Sequence, residues 1–344
     1  MHMSSSQTLY TKYRPQSFKD VLGQNHITEV LKESIALGSI AHAYLFFGTR
    51  GTGKTSIARI VAQELGTASE DLYEIDAASN NGVDEIRELR DAVSILPFKS
   101  KYKVYILDEV HMLSKSAFNA LLKTLEEPPA HVIFILATTE LHKVPDTVIS
   151  RCEVYTFKKP TQTILKDMVI KTAKKEGITL DSGSADLIAL LGEGSFRDTH
   201  GILQKVLHAS SDSKITLEEV EKVTGAPQSD LVNQYIDSLA TGQIEEGIQA
   251  ITTAVSQNID MSIYISMIVS KVRHILLARY SKSAREHIRE SVSERDFEYI
   301  TKCAEESQTI NSQTLKVLLD AYVMRNKSHI SSVPLEIVLF DLQK

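Results

Sequence analysis

Through the first 160 positions of the chain, short apolar runs alternate with stretches whose apolar residues recur at spacings of three and four; beyond them only the second pattern continues. Leu45-Phe46-Phe47, Leu72-Tyr73-Glu74-Ile75, Val104-Tyr105-Ile106-Leu107, His131 to Ala137 and Val154 to Phe157 predict five strands. Helical spacing predicts a helix over Asn25 to Leu37, with Ile27, Val30, Leu31 and Ile35 on one face, and another from Ser56. A third carries Val83, Ile86, Leu89, Val93 and Leu96 and stops at Pro97. A fourth takes Ser114 as its N-cap, presents Phe118, Leu121, Leu122 and Leu125, and closes at Pro128-Pro129. Strands and helices in alternation argue for a three-layer α/β domain with a mainly parallel sheet over residues 1–159. From Pro160 onward no convincing strand is expected. Residues 160–224 read as a compact group of short helices, broken at Gly192-Glu193-Gly194 and restarted by Ser195 as N-cap. Longer amphipathic helices follow over 225–344, after a boundary at Gly225-Ala226-Pro227 and with breaks near Gly242, Asn258 and Ser291.

Composition narrows the class. At 344 residues the chain is too long for one ordinary core, and 42% hydrophobic with 24% charged residues reads as soluble and globular. No apolar run approaches the roughly 18–20 residues of a membrane helix, so no membrane partner is expected. The opening Met1-His2-Met3-Ser4-Ser5-Ser6 lacks the apolar core of a signal peptide and is read as including a cloning remnant before Met3. Cys152 and Cys303 give neither a disulfide framework nor a four-ligand zinc site, which fits a cytoplasmic protein. A net charge of −6 argues against coating nucleic acid by bulk charge and leaves a small local DNA contact surface.

Between the first strand and the helix at Ser56 lies Gly48-Thr49-Arg50-Gly51-Thr52-Gly53-Lys54-Thr55, the pattern G-x-x-x-x-G-K-T in the strand–loop–helix order of a P-loop. Its glycines let the backbone curl with N–H groups aimed at a phosphate, and the helix N-terminus adds partial positive charge. Lys54 can reach β- and γ-phosphates and the Thr55 hydroxyl can take a Mg²⁺ position, so a nucleoside triphosphate is the expected ligand. Asp108, at the carboxyl end of an apolar strand, can hold the magnesium; Glu109 has the chemistry of a base for the attacking water. His111 is assigned to local packing or hydrogen bonding, because no partner ligands lie at metal spacing. Thr138 and Thr139 end the fourth strand, where a hydroxyl can bond the γ-phosphate or the water, or serve packing alone. Arg197 can reach the phosphates from the helical region, and Arg151, at an exposed strand entry, can serve a neighbouring subunit's site. For both arginines a surface salt bridge stands as the alternative. Val21 and Leu22 offer apolar contact to an adenine. The basic run Lys271 to Arg289 is assigned to a solvated helix face.

Tyr13-Arg14-Pro15, Phe18, Val21-Leu22-Gly23-Gln24, the P-loop, Glu74 to Asp84, Asp108 to Ser114, Phe118 to Pro129, Ala137-Thr138-Thr139, Ser150-Arg151-Cys152 and Gly194 to Asp198 carry a resemblance. Together they resemble the AAA+ clamp-loader ATPases, and among them the gamma/tau subunits of bacterial DNA polymerase III. The likeness is dense over residues 8–224; beyond, it rests on helical character and Pro334-Leu335-Glu336. It implies an α/β P-loop AAA+ domain with a parallel five-stranded sheet at 1–159, a small helical lid at 160–224 and an all-α C-terminal collar at 225–344. It implies ATP and Mg²⁺, with Tyr13, Val21, Leu22 and the loop from Gly48 through Ser56 at the nucleotide. Lys54 and Thr55 correspond to Walker A, Asp108 and Glu109 to Walker B, Thr139 with Thr138 to sensor 1, Arg197 to sensor 2, and Arg151 to a finger acting on the next subunit.

The function so implied is ATP hydrolysis at subunit boundaries that opens a sliding clamp and loads it onto primer–template DNA. The partners implied are other clamp-loader subunits, joined through the collar in a pentamer; no polymerase active site is expected in this chain. Ser114, Lys115 and Ser116, at a helix N-terminus, are the expected DNA-phosphate contacts. A non-hydrolysing scaffold of the same complex and another AAA+ DNA motor, such as a branch-migration helicase, are the alternatives. Two departures from the family pattern are visible. Gly66-Thr67-Ala68-Ser69-Glu70-Asp71 fills the gap where gamma/tau subunits usually carry a four-cysteine zinc module, so zinc is not expected. The polymerase- and helicase-binding tail of the longer tau form is not expected within these 344 residues, by truncation or by nature.

Overall fold

The computed structural model describes residues 7–210, 213–325 and 327–342; the remnant expected before Met3 lies outside the described residues. The chain divides into two compact units, one running to Ile164 and taking back Gly194–Asp198, the other holding Leu165–Glu193 and the chain from Thr199.

In the first unit β1 (Ala43–Phe47), β2 (Leu72–Asp76), β3 (Lys103–Asp108), β4 (Val132–Thr138) and β5 (Glu153–Thr156) form a parallel sheet in the order β2-β3-β4-β1-β5. Side chains alternate between two apolar faces, as a parallel sheet covered on both sides requires. Leu45, Leu107 and Leu136 share one face with Ile86, Leu89 and Val93 of the helix Val83–Val93 and with Phe118, Leu121 and Leu125 of the helix Lys115–Glu126. Tyr44, Phe46, Ile106 and Ile135 share the other with Ile27 and Leu31 of the helix Asn25–Leu37 and with Ile57, Ile60 and Val61 of the helix Lys54–Glu64. Each such burial is worth about 1.5–3 kcal/mol, and a register slip of one residue would exchange the two faces and lose the fitted packing on both. Phe47 pairs with Thr138 and Asp76 with Asp108, so the loops after β1, β3 and β4 leave from one edge. Tyr44 pairs with Glu153, which sets the entry to β5 at the opposite edge. Ser114 caps its helix as expected, its Oγ accepting the Ala117 N–H at 3.2 Å.

The helix from Val83 ends at Val93, earlier than the spacing predicts, and Leu96 lies outside it, 72% exposed. Pro97 disfavours a helical Leu96, and the Asp71 carboxylate captures the N–H groups of Phe98, Lys99 and Ser100 at 2.5–2.8 Å, holding the segment as a loop. Burial alone would raise the Asp71 pKa; these bonds overcome it and hold the carboxyl down, to about 2.

The second unit corrects three expectations. First, β6 (Thr179–Leu180) and β7 (Lys214–Ile215) pair in parallel where no strand is expected; two residues are too few to show a period of two. Second, the helix Met261–Tyr280 is long and apolar enough by length and composition to cross a membrane, although Lys271, Arg273, His274 and Arg279 interrupt its apolar run. Its Tyr264, Ile265, Ile268, Val272 and Ile275 are fully buried in the unit's core, beside Tyr235, Ile236 and Ile300. Third, the basic run is a solvated face only in part: Arg273, Lys282 and Arg289 are exposed, but two of its cations are bonded inside the unit. Lys271 is buried, its Nζ donating to Ser229 Oγ (2.6 Å), Asn233 Oδ1 (2.8 Å) and Asp296 Oδ1 (2.6 Å). Arg279 donates to the carbonyls of Cys303, Ala304, Ser307 and Ile310. Around this network burial pushes His274 down to about 4 and Glu221 up to about 7.

Candidate active site

β1 delivers the chain into the loop 48–53 at the C-terminal edge of the sheet, and the helix Lys54–Glu64 begins directly after it. Gly51 has φ +74°, and a Cβ there would lie 2.0 Å from Ser195 Oγ. A Cβ at Gly48 would lie 2.7 Å from Phe157 Cβ. Gly51 O accepts the Phe196 N–H at 2.9 Å, so the sequence-distant segment Gly194–Asp198 lies against the loop within the same unit. Arg197 thereby arrives beside it, its guanidinium carbon 5.7 Å from the centre of the Tyr10 ring in a cation–π contact.

Lys54 is buried, and its Nζ donates to Gly48 O at 2.7 Å and Thr49 O at 3.1 Å. Burial lowers its pKa, while the nearby Glu109 and Asp108 carboxylates pull it back up. A buried ammonium bonded to neutral carbonyls is one that an anion would complete. Thr55 Oγ1 donates to Asp108 Oδ2 at 2.6 Å, setting a hydroxyl and a carboxylate side by side. These hard oxygens suit Mg²⁺, which takes few protein ligands and fills its remaining positions with phosphate and water. Among the described residues no cluster of three or more His, Cys, Asp or Glu is set to hold a metal.

Glu109 has a left-handed backbone, φ 51° and ψ 45°, a conformation that costs a non-glycine residue about 1–2 kcal/mol. Its Oε2 accepts from Thr139 Oγ1 at 3.2 Å and lies 3.4 Å from His111 Nδ1. His111 Nδ1 is also 3.1 Å from Thr138 Oγ1, and its Nε2 is 3.4 Å from Glu140 Oε1, so His111 bonds locally. The two threonines therefore differ: Thr139 touches Glu109, whereas Thr138 is buried and bonded to His111 and to the Glu140 N–H.

The remaining sequence candidates are scattered. Thr52 is buried and donates to Thr49 O at 2.8 Å; Thr49 and Arg50 are exposed and Ser56 half-buried. Val21 packs on the Tyr44 and Phe46 face, Leu22 is half-buried, and Tyr13 carries Lys12 Nζ at 5.4 Å from its ring centre. Ser114, Lys115 and Ser116 are exposed, with the two serine hydroxyls 3.0 Å apart. Arg151 is at the other edge of the sheet, ahead of β5. The five residues of β1 separate that edge from the loop by about 17 Å. Its Nη2 donates to Glu126 Oε1 at 2.7 Å and its Nη1 to Thr147 O at 2.7 Å and Ser150 Oγ at 3.3 Å. An open cleft of about 640 Å³, lined by His42, Glu126, Arg151 and Cys152 among others, fronts it. Sequence reasoning assigns no role to Gln24 or Tyr10. Gln24 is fully buried, its amide donating to Lys158 O at 2.7 Å and accepting the Lys158 N–H at 3.1 Å, which ties the N-terminal arm to the residue beyond β5. The motif Gly23-Gln24 marks it; nothing in the local pattern marks Tyr10.

Residues 66–161 match a family model described as DNA polymerase III, delta subunit. DNA polymerase III subunit tau of Bacillus subtilis (strain 168) is 38% identical over 346 residues, covering 94% of this chain and 60% of the relative. DNA polymerase III subunit gamma of Buchnera aphidicola subsp. Baizongia pistaciae is 40% identical over 252 residues, 67% of this chain and 68% of that one. The chain spans 60% of the Bacillus relative's own length and 47% of the Escherichia coli (strain K12) subunit tau, which is 36% identical. The solved Thermotoga maritima RuvB Holliday junction branch migration motor shares the fold, with a TM-score of 0.54 and 19% identity over 66% of this chain and 79% of that one.

Proposed function

The chain belongs to the DNA polymerase III gamma/tau family, and from that premise we propose that it is a clamp-loader subunit. In this reading it hydrolyses ATP at the boundary with a neighbouring subunit, opening a sliding clamp and loading it onto primer–template DNA. One observation carries the reading: the chemistry is divided between two edges of one sheet. Lys54, Thr55, Asp108 and Glu109 stand at one, Arg151 at the other. An arginine a strand's length from its own P-loop is of use to a nucleotide held by another chain.

Lys54 and the loop N–H groups hold the β- and γ-phosphates, and Tyr13, Val21 and Leu22 border the nucleotide. Thr55 and Asp108 hold Mg²⁺, which when bound supplies charge neutralisation at the phosphates. Glu109, steadied by Thr139, orients the attacking water and accepts its proton. Arg197 adds positive charge from beside the loop. Arg151 serves the neighbour's site, an arrangement worth about 10³–10⁵ in rate. Residues 1–159 act as the ATPase core, 160–224 as a lid, and 225–344 as the collar through which a pentamer forms with other clamp-loader subunits. Ser114, Lys115 and Ser116 touch DNA phosphates, where few charges per subunit suffice for a chain of net charge −6. The work is cytoplasmic and needs no zinc.

Reconstitution with companion subunits, clamp and primed DNA tests this. ATP-dependent clamp loading is expected. Zero turnover with every partner present would make the chain a nucleotide-binding scaffold, and ATP-driven strand movement without a clamp would make it a different motor. Mixing Arg151→Ala with Lys54→Ala subunits isolates the shared site: activity that depends only on the arginine of the same subunit would defeat the trans assignment.

A further inference from the structure

Glu126 is the last residue of the helix Lys115–Glu126, ahead of Glu127-Pro128-Pro129. A carboxylate there faces the negative end of the helix dipole, so helix formation alone does not favour it. Its partner does. Glu126 Oε1 accepts from Arg151 Nη2 at 2.7 Å, while Thr147 O and Ser150 Oγ take Nη1. The guanidinium is thus held on two sides, and both Glu126 and Arg151 line the cleft at the N-terminal edge of the sheet. With Arg151 33% and Glu126 49% exposed, the pair adds little to stability. What it changes is the freedom of a long side chain: an unpaired arginine samples many rotamers, and a planar fork fixed at one nitrogen samples few.

We infer that Glu126 is the positioning residue for Arg151, orienting the guanidinium toward a nucleotide held by the adjoining subunit. The inference rests on the reading of Arg151 as a trans-acting arginine. Glu126 touches no reacting atom; it acts through Arg151.

The test is a double-mutant cycle in the reconstituted complex. Arg151→Ala alone reads the finger. Glu126→Ala is expected to lower kcat about tenfold, well short of the 10³–10⁵ that the arginine itself supplies. KM for ATP and the melting temperature should stay unchanged, and Glu126→Gln, which keeps an acceptor oxygen, should recover part of the loss. In the Arg151→Ala background, Glu126→Ala should have no further effect. An unchanged kcat in Glu126→Ala, or an equal loss in both backgrounds, overturns the positioning role while leaving the finger intact. An Arg151→Ala complex with full kcat overturns both.

Discussion

Lys54 in the α/β unit and Lys271 in the helical unit are both buried, yet their ammonium groups are completed differently. Lys54 donates to two neutral carbonyls, Gly48 O and Thr49 O, with carboxylates near but not bonded. Lys271 donates to a hydroxyl, an amide oxygen and the Asp296 carboxylate, and Asp296 in turn accepts from Ser229 and Ser293. Taking an ammonium out of water costs several kcal/mol unless its bonds repay it. At Lys271 the chain itself repays with a carboxylate; at Lys54 it offers two neutral carbonyls. A buried charge that meets a carboxylate has the chemistry of architecture, and one that meets only neutral oxygens has the chemistry expected where an anion binds.

Substitution separates the two regions. The largest effect is expected from Glu109→Gln, which removes the carboxylate proposed as the base. ATP turnover should fall about 10²–10⁴-fold while nucleotide stays bound, read by phosphate release alongside binding. Undiminished turnover would take Glu109 out of the chemistry. Lys271→Met comes next: it leaves Asp296 buried without its cation and should cost the helical unit about 3–5 kcal/mol in urea unfolding, with nucleotide affinity unchanged. A small stability loss accompanied by lost binding would invert the comparison.

The smallest effect belongs to Glu221, in the same network. Burial first, then the Asp296 carboxylate, raises its carboxyl from 4.5 to about 7. A raised pKa means the fold prefers the protonated form. The stability it contributes is complete below pH 4.5 and is lost as pH rises through about 7. Glu221→Gln should match wild type in acid and melt higher above neutral pH, by roughly 2–4 °C. A variant that melts lower above neutral pH would show that the charged carboxylate is needed.

The strand, loop and helix around Lys54 were legible in the sequence because their signals are local. Gly48 to Thr55 declares a P-loop within eight residues, and Asp108 follows an apolar run that can only be a strand. The closed network was not legible. Whether Lys271 is solvated depends on Asp296, 25 positions away, and whether Arg279 is free depends on carbonyls beyond Cys303. Periodicity sees neither. The strand order escaped for the same reason, since β1 finds its place between β4 and β5 only through long-range pairing. Leu96 was misplaced because the residue that shapes the loop after it, Asp71, lies on the far side of β2 and a whole helix.

Equilibrium binding of ATP with Mg²⁺ to the wild-type chain and to Lys54→Met bears most directly on the central claim. If the two carbonyl bonds of Lys54 are exchanged for charge-assisted bonds to phosphate, the variant should bind about a hundredfold more weakly at an unchanged melting temperature. Equal affinity in the two proteins would mean that Gly48 O and Thr49 O are the final partners of Lys54, and that the triphosphate is held elsewhere.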